Sequence, residues 1–196
     1  MRDSRLFSSS SSGVTRFRTR LIVEIGITIS LAVAMSTITR LVQLPWGGSI
    51  SLGSLPIAVI AILRGVKVGG IVGGGYGLVD LLLNPFIIHP LQVLLDYPLP
   101  NALFGSIIGF LYLKYSIEKT WGYIVILFIA GFAKWLFHWC SGILYFSTYA
   151  PEGQSVWIYS AIYNASHVIP ETIVCIVLLR MVFSYLPSRK KFSIRD

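Results

Sequence analysis

Six stretches of the chain, at about 21–43, 50–63, 66–83, 88–113, 121–146 and 157–186, are apolar and close to the length of a bilayer. A spanning helix needs about 20 mostly apolar residues, so six such runs in succession leave little room for anything except helices in lipid. Composition agrees, since 55% of the 196 residues are hydrophobic and only 12% are charged, about half the charged share of a soluble domain. The expected fold is an all-α membrane protein of six transmembrane helices. The second and third runs are short, and are expected to be tilted or to reach an incomplete depth.

The formal charge of +8 would suit a nucleic-acid binder, but the basic residues stand at the ends of the apolar runs, which is how a membrane protein sets its orientation. Five Lys and Arg precede the first run, two lie at Arg64 and Lys67, two at Lys114 and Lys119, and four at Arg189, Lys190, Lys191 and Arg195. These thirteen fall on alternate connections, and Arg40 stands alone on the other side. The bias predicts that both termini are cytoplasmic. Residues 1–20, with arginines around the serines 8–12, read as a basic, Ser-rich mobile tail; 21–186 form the membrane domain; 187–196 form a second basic tail. No cleavable leader is expected, because the first run is long enough to span and no small-residue cleavage site follows it.

Motifs of soluble chemistry are missing. Cys140 and Cys175 lie inside apolar runs with no CxxC pair and no His cluster, so neither a disulfide framework nor a metal site is expected. Gly65, Gly69, Gly73 and Gly77 recur every four residues. Such spacing lines one helix face with hydrogen and lets another backbone approach closely. Neither a P-loop nor a dinucleotide fingerprint fits the glycines, so any ATP-driven step must use another chain.

Ionisable and polar residues within the runs are costly in hydrocarbon and call for a partner, a cavity or a function. At a rise of ~1.5 Å per residue, Asp96 and His138 lie about 12 Å from the outer face and Asn164 about 10 Å. Tyr76, Asp80, Tyr97, Tyr159 and Tyr163 fall in or above this layer, and Lys134 is one turn below His138. Taken singly, each residue could be a belt tyrosine or a packed histidine. Together, an anion, a His, a Lys, an Asn and several aromatics at one depth suit a small, flat, partly cationic ligand. Glu24, four residues after Arg20, reads as interfacial before it reads as the partner of a neighbouring cation, and His167 with Glu171, four apart beside Pro170, as a local pair or a ligand site. Trp46, next to Gly47 and Gly48 in the first outer connection, could be an interfacial anchor or a cover over a pocket mouth.

The stretches Pro45-Trp46-Gly47-Gly48-Ser49-Ile50-Ser51, Leu55-Pro56-Ile57, Arg64-Gly65-Val66-Lys67-Val68-Gly69, His89 through Tyr97, Lys134 through His138 with Ser141-Gly142, and Ala150-Pro151-Glu152-Gly153 with Val156 through Ser160 and Tyr163-Asn164-Ala165 carry a resemblance. The chain resembles the thiamin-specific substrate-binding (S) components of energy-coupling factor transporters, the ThiT/YuaJ family, over about residues 20–185. The resemblance implies a subunit of a prokaryotic plasma membrane that captures thiamin from outside and docks on one transmembrane coupling protein (T component) and two ATPases (A components). It implies no cofactor and no catalysis by this chain.

Carried over by motif, Asp96 would hold the aminopyrimidine or balance the thiazolium, and Tyr97 would add a hydroxyl. His138 would stack on or polarise the thiazolium, Lys134 would support Asp96, keeping it ionised, or the ligand hydroxyl, and Tyr159 and Asn164 would hydrogen-bond the ligand. Trp46 would lie in the loop covering the site, and Phe146 stands where some relatives have tryptophan. Gly26, Ser30 and Ala34, spaced by four on the first helix, would form the face that meets the coupling protein, in place of the relatives' alanines. Two other readings stay open: a binding component for another vitamin, and a polytopic membrane enzyme using His138 and Asp96 as acid and base.

Overall fold

The computed structural model describes residues 4–40, 42–44, 48–115 and 120–185. Among these residues seven α-helices follow one another: α1 (Ser4–Thr39), α2 (Ser54–Arg64), α3 (Val66–Leu83), α4 (Pro90–Asp96), α5 (Pro98–Tyr115), α6 (Thr120–Tyr145) and α7 (Val156–Tyr185). Two-residue strands β1 (Val42–Gln43) and β2 (Ser49–Ile50) pair antiparallel between α1 and α2. Among the described residues, five segments are long and apolar enough to cross a membrane: α1 from Arg16, α3, α4 with α5, α6 and α7. At ~1.5 Å per residue, α2 covers roughly half of a ~30 Å hydrocarbon core. It is the lipid-shielded centre of the bundle, with eight of its eleven residues buried.

Several boundaries depart from the sequence pattern, each for a local reason. Helix α1 begins at Ser4, inside the stretch expected as a tail; no proline interrupts it, and its arginines favour helix. Arg16 to Arg20 are exposed. The second tail, 187–196, lies outside the described residues. The fourth apolar run is broken at Tyr97 because Pro98 disfavours helical geometry in the residue before it, and Pro98 and Pro100 then fit the first turn of α5, where no N–H partner is needed. Helix α4 opens on Pro90, with His89 Nδ1 accepting the Leu91 N–H at 3.1 Å. Gly65, at φ +81°, turns the chain between α2 and α3, and a Cβ on Gly69 would lie 2.7 Å from that of Ala61, so α3 folds back along α2.

The glycine stripe does what its spacing predicts, and its partner is α5. A Cβ on Gly69 would lie 2.6 Å from the Gly105 carbonyl oxygen, closer than real side chains approach. Gly73 and Gly77 press as tightly on the carbonyls of Asn101 and Tyr97, and Gly109 on Gly65. The apolar core continues from this seam through Ile57, Ala58, Ala61, Val72, Phe104 and Ile108 to Leu127, Ala130 and Leu179.

Gly73 and Gly26 therefore provide a matched test. Gly73→Ala should destabilise by about 1–3 kcal/mol through overpacking. Gly26→Ala, with nothing within 4 Å of the new methyl, should be neutral or stabilise by up to ~1 kcal/mol. Thermal unfolding in detergent, followed by circular dichroism, would expose a wrong assignment of the seam if the two variants behaved alike.

Candidate ligand pocket

A cavity of about 300 Å³ opens at one end of the bundle between α3, α4, α5, α6 and α7, with Arg40, Leu44, Gly48 and Ser49 from the connection after α1. Asp96, Tyr97, Lys134, His138, Tyr159, Asn164, Tyr76 and Phe146 all line it, brought together from four different apolar runs. Trp46 lies outside the described residues. The volume is at the lower end of sites for small organic ligands.

The charged groups of the wall are arranged in pairs. At the rim, Arg40 Nη2 lies 2.8 Å from Asp80 Oδ1, joining the end of α1 to α3, and Asn84 Nδ2 donates to the same oxygen at 3.0 Å. At the floor, Lys134 Nζ lies 3.0 Å and 3.2 Å from the two oxygens of Glu171 and donates to Ser54 Oγ at 3.2 Å, while the Ser54 hydroxyl donates to Glu171. Asp96 stands between them. Its Oδ2 accepts from Gln92 Nε2 at 2.7 Å and its Oδ1 is 3.3 Å from His138 Nδ1. Among the described residues it is the carboxylate of the lining that has no Lys or Arg partner.

This corrects the expectation that Lys134 holds Asp96. Lys134 faces α7, and a buried ammonium takes the carboxylate that the neighbouring helix presents at its own level, here Glu171, with both side chains under one-tenth exposed. His167 and Glu171 do not form the local pair, one of the two readings open for them, and both line the cavity. His167 Nε2 lies 3.3 Å from Asn164 Oδ1, and its ring meets that of His138 edge-on at 5.6 Å. Glu24 pairs with Arg20 at 3.0 Å and also with Arg64 at 2.7 Å, tying α1 to the α2–α3 turn.

Several polar side chains of the wall are already committed to it. The Tyr97 hydroxyl accepts the Phe86 N–H at 2.8 Å and donates to Asn84 O at 2.9 Å, so it fixes the loop after α3 instead of presenting a free hydroxyl. The Tyr76 hydroxyl donates to Ser36 Oγ at 3.0 Å. Asn164 Nδ2 donates to His138 O and Ser160 O at 3.1 and 2.9 Å, clamping α6 to α7. Phe146 stacks on Phe86, with centroids 5.8 Å apart. Above them the β1–β2 turn reaches down to α7: a Cβ on Gly48, at φ +74°, would meet the His167 ring at 2.9 Å.

Sequence reasoning left out Arg40, Gln92 and Asn101, which also line the cavity. Arg40 reads as a connection charge. Gln92 and Asn101 are amides inside a presumed spanning run, and an uncharged polar residue at that depth is the signal that could have found them.

A multi-pass helical membrane protein with a half-open pocket of aromatic, charged and amide side chains at one end of its bundle belongs among binding and transport proteins. Comparison with known proteins narrows the class: the model of the family "Thiamine transporter protein (Thia_YuaJ)" matches residues 22–191, and the chain belongs to that family. It is 34% identical over 175 residues to the thiamine transporter ThiT of Bacillus subtilis, covering 85% of this chain and 91% of that one. To ThiT of Lacticaseibacillus paracasei it is 29% identical over 179 residues, covering 85% and 88%. A solved structure of ThiT from Listeria monocytogenes superposes with a TM-score of 0.71 at 24% identity, over 85% of this chain and 94% of that one, and shares the fold. These relatives are transporters, not enzymes.

The floor pair makes a thermodynamic prediction. Removing one partner of a buried ion pair strands the other charge and costs about 3–5 kcal/mol, whereas replacing both with apolar residues costs far less. Lys134→Met and Glu171→Met should each lower the unfolding midpoint in detergent more than the double variant does. Additive losses in that double-mutant cycle would mean that the two side chains do not depend on one another.

Proposed function

We propose that this chain is the thiamin-binding subunit of an ATP-driven energy-coupling factor importer in a prokaryotic plasma membrane. The observation that carries the reading is the charge balance of the pocket. Arg40 with Asp80 and Lys134 with Glu171 form neutral pairs, which leaves Asp96 to face a ligand with one positive charge. Thiamin offers a fixed cation, two flat rings, an amine and a hydroxyl. A thiazolium beside Asp96 and among the rings of His138, Phe146 and Tyr159 meets negative potential where water is excluded. The family membership and the names of the relatives point the same way.

In this reading α2 completes six helical passes with the five longer segments, and both termini are cytoplasmic. Arg20 and Arg64 share Glu24 at one end of the bundle, where Lys67 also stands. The pocket lies at the opposite end, so the ligand enters from outside, on the side where Gly48 and Ser49 line the cavity. Gly26, Ser30 and Ala34 are exposed on α1, only 11% of whose apolar window is buried against 33% in each of the other four spans. This open face of small residues suits close approach by the helix of a coupling protein, and ATP is hydrolysed by two partner subunits.

Calorimetry of the purified chain against thiamin, riboflavin and biotin tests the ligand, with thiamin alone expected to bind tightly. Asp96→Asn should weaken thiamin binding at least about ten-fold, or 1.4 kcal/mol. Unchanged affinity in the folded variant would move the cation elsewhere. For docking, Gly26→Trp or Ser30→Trp should abolish ATP-dependent uptake by the assembled transporter while thiamin binding to the isolated subunit survives. Loss of both together would place the stripe in internal packing.

A further inference from the structure

The end of the bundle opposite the pocket carries positive charge that the described chain does not balance. Among the described residues its one carboxylate, Glu24, is shared by Arg20 and Arg64. Lys114 on α5 and Arg180 on α7 are exposed, and neither has a carboxylate partner among the described residues. The Lys114 ammonium rests instead near the rings of Phe110 and Tyr115, 5.6 and 5.3 Å from their centroids. The connection at 116–119 adds Glu118 and Lys119, and so no net charge.

Ring contacts bring these two cations to one level. Tyr112 of α5, Tyr123 of α6 and Phe183 of α7 form a row, with centroids 6.0 and 5.4 Å apart. Lys114 lies two residues beyond that row and Arg180 three residues within it, which at ~1.5 Å per residue separates them by about 8 Å along the bundle. The long arginine side chain extends over that distance toward water. Between the two stands α6, packed against both α5 and α7. Trp121, in its first turn and level with Lys114, is 77% exposed, and its indole N–H donates to no group among the described residues. From Trp121 an exposed apolar stripe runs inward along α6 through Val125, Phe128 and Phe132, at the intervals of three and four that keep to one helix face.

We propose that the start of α6, with its two flanking cations, is a binding site for an anionic phospholipid. The phosphate is held by Lys114, Arg180 and the Trp121 indole N–H, and one acyl chain lies along Val125, Phe128 and Phe132. A lipid suits the site better than a free phosphate does. Exposed cations gain little from a small anion that salt screens, and the stripe running inward offers a surface to an acyl chain and none to an ion. A zwitterionic lipid brings its own cation to the phosphate and gains less. The site uses other helices than α1, which packs on α2 and α3, so a lipid held here leaves the face of Gly26, Ser30 and Ala34 open. It requires that the helices span a bilayer, and it does not depend on which ligand the pocket takes.

The test separates a built site from diffuse charge. The full chain, purified in neutral detergent, is mixed with equal amounts of palmitoyl-oleoyl phosphatidylglycerol and phosphatidylcholine, and the lipids that stay bound are counted by native mass spectrometry. Wild type should hold phosphatidylglycerol in preference by about ten-fold or more, since each Lys or Arg near an anionic headgroup favours it several-fold. Lys114→Gln with Arg180→Gln should shrink the preference to within about two-fold. Arg16→Gln with Lys67→Gln removes two exposed cations from α1 and α3 at the same end and should leave the preference within about two-fold of wild type. Equal retention of both lipids by wild type overturns the proposal whether or not any variant folds. An undiminished preference without Lys114 and Arg180 overturns it too, and an equal loss in both double variants would assign the lipid to the overall charge of this end instead of to α6.

Discussion

The pocket depends on two backbones being allowed to touch. Glycines at 65, 69, 73 and 77 of the α2–α3 turn and α3 meet the carbonyls and glycines of α5 at distances no side chain permits. Without a hydrophobic driving force between helices in lipid, association rests on close packing and on the weak bonds that close packing allows. The seam fixes α5 at Asn101 and the Tyr97 kink, and through the kink it fixes Asp96. Tyr76 and Asp80 are carried by α3 itself. Both walls on that side of the cavity are therefore registered by one contact, which no change in pocket residues could replace.

Electrostatics completes what the seam begins. Three carboxylates and two strong cations in a wall of this size would be prohibitive if each were solvated alone, because desolvating a single ion costs several kcal/mol. Pairing Arg40 with Asp80 and Lys134 with Glu171 removes most of that cost and also braces the bundle, the first pair at the rim between α1 and α3, the second at the floor between α6 and α7. Asp96 has no Lys or Arg beside it; its oxygens face the Gln92 amide and the His138 ring. In the proposed reading an incoming cation would complete its solvation, so that ligand charge would be selected by what the protein leaves uncompensated.

Much of this could be read in the residues. The apolar runs gave the helices, the spacing of four gave the close-packed face, and depth along each run gathered the polar residues into one layer, which the cavity reproduces. Pairing across helices could not be read. Whether Lys134 meets Asp96 or Glu171 depends on how α6 is rotated against α4 and α7, and periodicity fixes the face of a helix only relative to itself. The break at Tyr97 was available in Pro98 and Pro100 but is submerged in an apolar run long enough to span. The β1–β2 turn is too short for a periodic signal. Asn101 was passed over because an uncharged amide contributes nothing to a charge count, although at that depth it is nearly as hard to satisfy.

One helix connects the two ends of the molecule. Glu24 holds α1 to Arg64 near the basic end, Ser36 accepts from Tyr76 at the level of the pocket, and Arg40 reaches Asp80 at the rim. Between these ties the face bearing Gly26, Ser30 and Ala34 remains exposed. A partner gripping that face would hold a rod pinned to the body at both ends, so the force it applies would be carried to the whole bundle instead of bending α1 away from it. The ties are ion pairs and hydrogen bonds of defined direction, whereas the open face is small and apolar. A strong internal attachment with a weak, reversible external one is the combination that lets a subunit be gripped and released while its pocket stays intact.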